Sequence, residues 1–230
     1  MRRSLCRGTL ALAALAVLCA GQGGIAAASE DDRGITFEVV VTNLTRGQII
    51  SPAVVATHTR ELDPLFVLGL PASDELVGVA EDAVLDPLID ALSDDPNVKD
   101  VQTIVGAAGP IMPGESASVI VDAGGRFRNV TVVGMLVTTN DAFFALNGVP
   151  GPRRGSATHR APAYDAGSEA NNENCAYIPG PPCGNAGVRM TERAEGYVHI
   201  HAGIHGIADL VPATHDWRNP VAKITIRRLP

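Results

Sequence analysis

Short segments in which apolar and polar residues alternate constrain the fold of this chain more than any other feature. Such alternation predicts strands that are buried on one face only. The segments that show it are Ile35–Thr42, Ala117–Val121 and Lys223–Arg228. In the last of these, Ile224 and Ile226 are predicted to face the core, and the residues between them to face solvent.

Other segments complete a predicted all-β fold. The run from Val130 to Val137 is apolar on both faces, which indicates a central strand, and Gly124–Gly125 predicts a hairpin turn before it. A helix is predicted to start with Asp86 as its N-cap and Pro87 as its first residue, and a weaker helix to cover Ser73–Glu81. The segment 150–185, rich in Gly, Pro and Asn, is predicted to be loop. Together these features favour an antiparallel β-sandwich with a short helical insertion.

The N-terminal segment is typical of a secretory signal. Arg2 and Arg3 precede the apolar stretch 10–19, and small residues 26–28 predict cleavage after Ala28. The apolar stretch is shorter than the roughly 20 residues that cross a bilayer, and no later segment reaches that length. We therefore expect a signal peptide over residues 1–28, one domain over 29–230, and a secreted or periplasmic protein with no transmembrane segment.

Charge and cysteine content argue against two kinds of function, nucleic-acid binding and a metal site made of thiolates. The net charge of −7, without a basic block, argues against nucleic-acid binding. Two of the four cysteines lie in the predicted signal, which leaves Cys175 and Cys183. In an exported chain this pair is typical of a disulfide, whereas a thiolate metal site normally has more cysteines at shorter spacing.

Two groups of residues could bind metal ions. Asp165 and Glu169 lie four residues apart around Gly167, and Asp141 follows the predicted central strand. Oxygen ligands of this kind suit calcium. From spacing alone, however, the pattern favours solvated loop residues with local turn hydrogen bonds.

The second group comprises His199, His201 and His205. On a strand, the first two would share one face with Tyr197, opposite Val198 and Ile200, which are predicted to face the core. An H-x-H pair can bind zinc or another transition metal. The alternative is an exposed polar strand face with a histidine in the following turn.

Three longer stretches resemble the spondin domain in its bacterial secreted form, which is related to the eukaryotic matrix proteins F-spondin and mindin. They are FEVVVTNLTRGQIISPAVVATH, GMLVTTNDAFFALNGV and APAYDAGSEANNE. The resemblance extends from Ile35 to about Glu173 and resumes over Pro220–Arg228. The intervening segment, about 174–219, looks like an insertion typical of bacterial members.

This resemblance implies a fold similar to C2 domains with one calcium ion at an end of the sandwich. The implied ligands are Asp141, Asp165 and Glu169, the last of which is Asp in the eukaryotic pattern. The implied function is a secreted adhesion or extracellular-matrix or cell-surface binding module, without enzymatic activity, whose partner is an unidentified extracellular protein or glycan. The alternative is a metal-dependent enzyme that uses His199, His201 and His205, with Glu195 and Asp209 as nearby acids.

Overall fold

The computed structural model describes residues 34–230, so the predicted signal peptide, residues 1–28, lies outside the described residues. The described chain forms ten strands and three α-helices. The strands are β1 (Ile35–Asn43), β2 (Ala53–His58), β3 (Val98–Ile104), β4 (Ser116–Ala123), β5 (Asn129–Met135), β6 (Ala142–Pro150), β7 (Ser156–Ala161), β8 (Ala163–Asp165), β9 (His199–Ile200) and β10 (Ala222–Arg228). The helices are α1 (Asp74–Asp82), α2 (Asp86–Asp94) and α3 (Pro212–His215), and a 3-10 turn covers Cys175–Tyr177.

The strands form two antiparallel sheets. A four-stranded sheet has the order β4-β1-β10-β7, and a six-stranded sheet has the order β3-β2-β5-β6-β8-β9. The predicted β-sandwich with a short helical insertion is therefore confirmed. None of the helices in residues 34–230 has the length and apolar character needed to cross a membrane.

Two apolar cores give the molecule three layers. The larger core fills the space between the sheets, and alternate residues of β1, from Ile35 to Val41, enter it as predicted. Ile224 and Ile226 of β10 also enter it as predicted. The second core lies between the outer face of the six-stranded sheet and α1 and α2.

Strands β2 and β5 lie inside the six-stranded sheet and are covered on both faces. Their side chains are buried at almost every position, which explains why β5 is apolar at most of its positions and confirms the predicted central strand. At the start of β6, Phe144 enters the core between the sheets, while Phe143 packs on the helical side.

Several local predictions need correction. Gly124–Gly125 does not close a hairpin, because β4 and β5 belong to different sheets and the turn carries the chain from one to the other. The segment predicted as loop contains β7 and β8, which pair with β10 and β6. In α2 the cap position belongs to Leu85, and Asp86 is the first helical residue. The weaker helix is confirmed as α1, where the Ser73 side chain accepts a hydrogen bond from Leu76 N.

Candidate metal centre

Strand pairing brings Asp141 and Asp165 together at one end of the six-stranded sheet. Asp141 immediately precedes β6, and Ala142 lies opposite Asp165, the last residue of β8. The amide of Ala166 donates a hydrogen bond to the Asp141 carbonyl at 3.2 Å. Both carboxylates are fully buried. The two predicted calcium ligands therefore become neighbours through the register of two strands that are distant in sequence.

The loop after β8 wraps around the Asp141 carboxylate. Its Oδ2 accepts hydrogen bonds from Ser168 N at 2.8 Å, Glu169 N at 3.0 Å and Ser168 Oγ at 3.1 Å. Its Oδ1 is buried without a hydrogen-bond partner. Burial raises the pKa of Asp141 well above its usual range, and the nearby charge of Asp165 raises it further. An orphaned carboxylate oxygen in such a position is the kind of group that a bound cation would satisfy.

Gly167 allows this loop to turn. Its φ of +69° lies in the left-handed region, and a Cβ at this position would lie 2.3 Å from the carbonyl oxygen of Tyr197. Its amide donates to Asp165 Oδ1 at 2.7 Å, and its carbonyl accepts from Gly196 N at 2.8 Å. The glycine of the Asp-Ala-Gly sequence is thus required by a close approach between two backbone segments.

Glu169 is buried beside Asp141, but its carboxylate makes different contacts. Its Oε1 accepts a hydrogen bond from Met190 N at 2.6 Å. Burial raises the pKa of Glu169 to about 7, and the charge of Glu81 acts in the same direction. The Asp141–Asp165 pair and the Glu169 carboxylate are therefore linked through the backbone of one loop.

Glu81 is an additional buried acid that the sequence analysis did not identify. It lies in the last turn of α1 and forms an ion pair with Arg189. Burial raises the pKa of Glu81, although the arginine opposes this effect. The signal available in the sequence was weak, because an acidic residue at the end of an amphipathic helix usually faces solvent.

The histidines surround a small pocket next to the acids, with a volume of about 170 Å³. Side chains of the segment 195–205 line one part of it, and Asn140 and Asn171 line another. The three predicted histidines, His199, His201 and His205, all contribute to its wall. The insertion-like segment therefore builds a site directly beside the buried acids, because β9 pairs with β8.

The predicted orientation of the histidines is correct in one respect and wrong in another. His199 Nε2 and His201 Nε2 both face Asp165, at 3.7 Å from Oδ1 and 3.9 Å from Oδ2, so the two rings share a side. The prediction that they point away from the core is wrong for His201, which is 5% exposed and packs 4.9 Å from the Trp217 ring. Ile200, predicted to face the core, is 48% exposed. Trp217, which comes from a distant segment, covers the face that the local pattern assigned to solvent.

Three side chains of different types converge within residues 34–230. One ligand atom from each of Asp165, Glu195 and His199 lies within 4.8 Å of the other two. His205 is exposed and lines the pocket without joining this group. Burial raises the pKa of Asp165, whereas a hydrogen bond from Asn171 and the charge of His199 oppose this effect. Asp165 thus lies between the buried Asp141 and the two histidines, His199 and His201, that face it.

The predicted disulfide is present in the structure. Cys175 and Cys183 are bonded, with their Cα atoms 4.8 Å apart. The Cys175 amide donates a hydrogen bond to Asp209 Oδ2 at 2.8 Å. The loop that the two cysteines close also contacts the segment before Asp141, because the Pro181 carbonyl accepts from Thr138 Oγ1 at 2.8 Å. The disulfide fixes one part of the long connection between β8 and β9.

Comparisons with known proteins give no independent support for a family. No protein-family model matches the chain, and no curated protein is significantly similar to it.

Proposed function

We propose that this chain is an exported, calcium-binding protein of the spondin-domain type that acts as an adhesion or matrix-binding module and is not an enzyme. The proposed partner is an extracellular protein or glycan. The location, secreted or periplasmic, follows from the signal-like N-terminal segment. The sequence stretches that resemble the spondin domain support the family, and the β-sandwich is compatible with it.

The observation that carries the calcium proposal is the orphaned, buried Oδ1 of Asp141. Asp141 lies beside the equally buried Asp165, and burial disfavours the charged form of each carboxylate. Glu169 belongs to the same loop, and its own backbone amide donates a hydrogen bond to Asp141 Oδ2. These carboxylates offer the oxygen ligands that a hard divalent cation prefers. Asp141 and Asp165 would hold the ion, and Glu169 would join them once its side chain turned away from the Met190 amide that it now contacts. When bound, calcium would neutralise the repulsion between the carboxylates.

A surface next to this end supports a binding role. The segment 67–70 pairs with Val198 through two backbone hydrogen bonds, Gly69 N to Val198 O at 2.9 Å and Val198 N to Leu70 O at 2.8 Å. These two segments carry exposed large apolar side chains, which are Val67, Leu68, Leu70, Tyr197 and Ile200. Exposed apolar residues grouped in this way are typical of interaction surfaces. Calcium would stabilise the surface indirectly, because the loop of Gly167 docks against Gly196 and Tyr197.

The test is thermal unfolding of the purified protein with added calcium and with chelator. Because calcium binds the folded state, it should stabilise the protein by about 2.7 kcal/mol at a hundred times its dissociation constant. Asp141→Asn should remove most of this stabilisation. Glu169→Asp, which keeps the charge, should reduce it less.

Asp63→Asn is the matched control, because Asp63 is an exposed acid far from the site in sequence. It should leave the calcium-induced shift unchanged. The calcium site as described would be rejected by an unfolding midpoint that does not respond to calcium, or that responds equally in Asp141→Asn. The binding role is tested separately by pull-down from a surface or matrix fraction, with Leu68→Ser and Ile200→Ser as variants that should lose the captured partner.

A further inference from the structure

We propose that the protein has a second metal site, formed by Asp165, Glu195 and His199, that binds a divalent first-row transition ion of the zinc class. This site goes beyond the proposed calcium function, although it shares Asp165 with the buried acids. It also differs from the histidine-only set expected from the sequence, because its ligands are two carboxylates and one imidazole. Such a mixed nitrogen and oxygen set suits borderline ions better than calcium.

The distances are close to those that a small ion needs. The three ligand atoms lie within 4.8 Å of one another, and His199 Nε2 lies 3.7 Å from Asp165 Oδ1. Tetrahedral ligands about 2.0–2.1 Å from zinc are roughly 3.3 Å apart. The exposed Glu195 side chain can close the remaining difference by rotation, since it lies in an exposed segment without regular secondary structure.

The hydrogen bonds of His199 prepare its ring for a metal. His199 Nδ1 lies 3.1 Å from the carbonyl oxygen of Ile200. A carbonyl can only accept, so Nδ1 carries the hydrogen in this contact and Nε2 keeps its lone pair. That lone pair faces Asp165. A backbone carbonyl that fixes the second nitrogen in this manner is the usual arrangement around a metal-binding histidine.

The opposite tautomer of His201 makes it a positioning residue and not a ligand. His201 Nδ1 accepts a hydrogen bond from Gly203 N at 2.9 Å, so the hydrogen of the neutral ring is on Nε2. This Nε2 is buried, has no hydrogen-bond partner, and is directed at Asp165 Oδ2, 3.9 Å away. A small shift of Asp165 towards an ion would give this N–H its partner. Asn171 supports the same arrangement, because its Nδ2 contacts both Asp165 Oδ2 and Glu195 Oε1.

The pocket gives the proposed ion an open side. Its volume is about 170 Å³, and Glu195, His199, His201 and His205 line it together. Three protein ligands and an accessible fourth position leave room for water or for a small ligand. His205 lies in the wall and is absent from the converging group, so it serves as a matched histidine control.

The experiment is a titration of the metal-free protein with Co²⁺ in saturating calcium, followed by visible absorption and by displacement with Zn²⁺. We expect one Co²⁺ per chain, displaced by Zn²⁺ and not by calcium. His199→Ala and Glu195→Gln should each weaken binding by at least about 10-fold, and His201→Ala by about 10- to 100-fold, as for residues that orient a ligand. His205→Ala should bind normally, and Asp141→Asn should keep the cobalt site while losing the calcium-induced thermal shift.

Circular dichroism and unfolding in calcium identify any variant that fails to fold, and Glu195→Gln is the decisive variant because its side chain is exposed. The proposal is overturned if Co²⁺ does not bind, or if calcium displaces it stoichiometrically. It is also overturned if His205→Ala abolishes binding while Glu195→Gln does not, since that result would assign the metal to the three histidines.

Discussion

Burial fixes the protonation of individual polar residues in this molecule, and His58 shows how. It is the last residue of β2 and is 4% exposed. Its Nδ1 lies 2.7 Å from the carbonyl oxygen of Thr59, and its Nε2 lies 3.0 Å from Thr131 Oγ1. The neutral ring therefore has a partner at each nitrogen, and a proton added to Nε2 would face a hydroxyl that already accepts from Gly148 N.

This arrangement predicts a loss of stability in mild acid. Burial lowers the pKa of His58 below 6.5 in the folded state, against weaker opposing effects of Thr59 and Asp95. As the pH falls below 6.5, His58 is protonated in the unfolded chain at a higher pH than in the folded protein. The free energy of unfolding therefore falls as the pH decreases towards the folded-state pKa. The slope from one such group is at most about 1.4 kcal/mol per pH unit.

The measurement is chemical unfolding between pH 7.5 and pH 5 for the wild type and for His58→Gln. Groups common to both proteins contribute equally, so the difference between the two curves isolates His58. The difference in unfolding free energy should change over this range in favour of the variant at low pH. Parallel curves would show that His58 does not control the acid response.

At the scale of single elements, the sequence predicts those strands whose position a local hydrophobic pattern marks. Alternation located β1 and β10, and the continuous apolar run located β5. The sequence pattern does not predict strand β2, because Ala56, Thr57 and His58 carry no strong apolar period. Strands β7 and β8 were missed because their residues pair with distant strands and lie among Gly and Pro.

The same limit applies to the candidate site. Asp141, Asp165 and the histidines could be named from the sequence, because they lie in short segments dense in ligating residues. Glu81 could not, because only the docking of α1 brings it beside Glu169. The burial of His201 could not be predicted from the sequence either, because it depends on packing against Trp217.

Gly167 gives a prediction for the loop that follows β8. Gly167→Ala must place a Cβ against the Tyr197 backbone in addition to adopting a positive φ. Gly155 is the matched control, since it has a similar φ of +64° and nothing within 4 Å of the added Cβ. Gly155→Ala should cost about 1–3 kcal/mol of stability from backbone strain alone.

Gly167→Ala should therefore lower the unfolding midpoint more than Gly155→Ala does, and it should also weaken the calcium-induced shift. Equal effects of the two substitutions would mean that the approach of Tyr197 to Gly167 is not needed for the fold or the site.

The disulfide loop is the other element with a measurable contribution. The bond between Cys175 and Cys183 closes a short loop, for which chain entropy gives about 2–3 kcal/mol. Thiol titration of the unfolded, unreduced protein should find no free thiol, and Cys175→Ser/Cys183→Ser should lower the free energy of unfolding by about that amount. Two titratable thiols in the protein as isolated would contradict the bond.

At the scale of the whole molecule, the local sequence pattern does not determine which strands share a sheet. The turn at Gly124–Gly125 has the composition of a hairpin, yet β4 pairs with β1 while β5 pairs with β2 and β6. The same turn can close a hairpin within one sheet or carry the chain from one sheet to the other. Only the packing of the two sheets around a common core decides which of these connections forms. The three layers place every proposed metal ligand at the β8–β9 side of the six-stranded sheet or in the loops beside it.

The position of β9 at the sheet edge has a consequence for aggregation. This strand has two residues and pairs with β8 only through Tyr164↔Ile200 and Asp165↔His199. If it detached, the three-residue β8 would be the edge, followed by β6, whose first five residues are buried. Unpaired edges of this kind recruit strands from other chains. Because the proposed ions would hold Asp165 and His199 together, stripping them would favour loss of β9 and expose β8 as an edge for pairing with other chains. Metal content would then govern how readily the protein self-associates on storage.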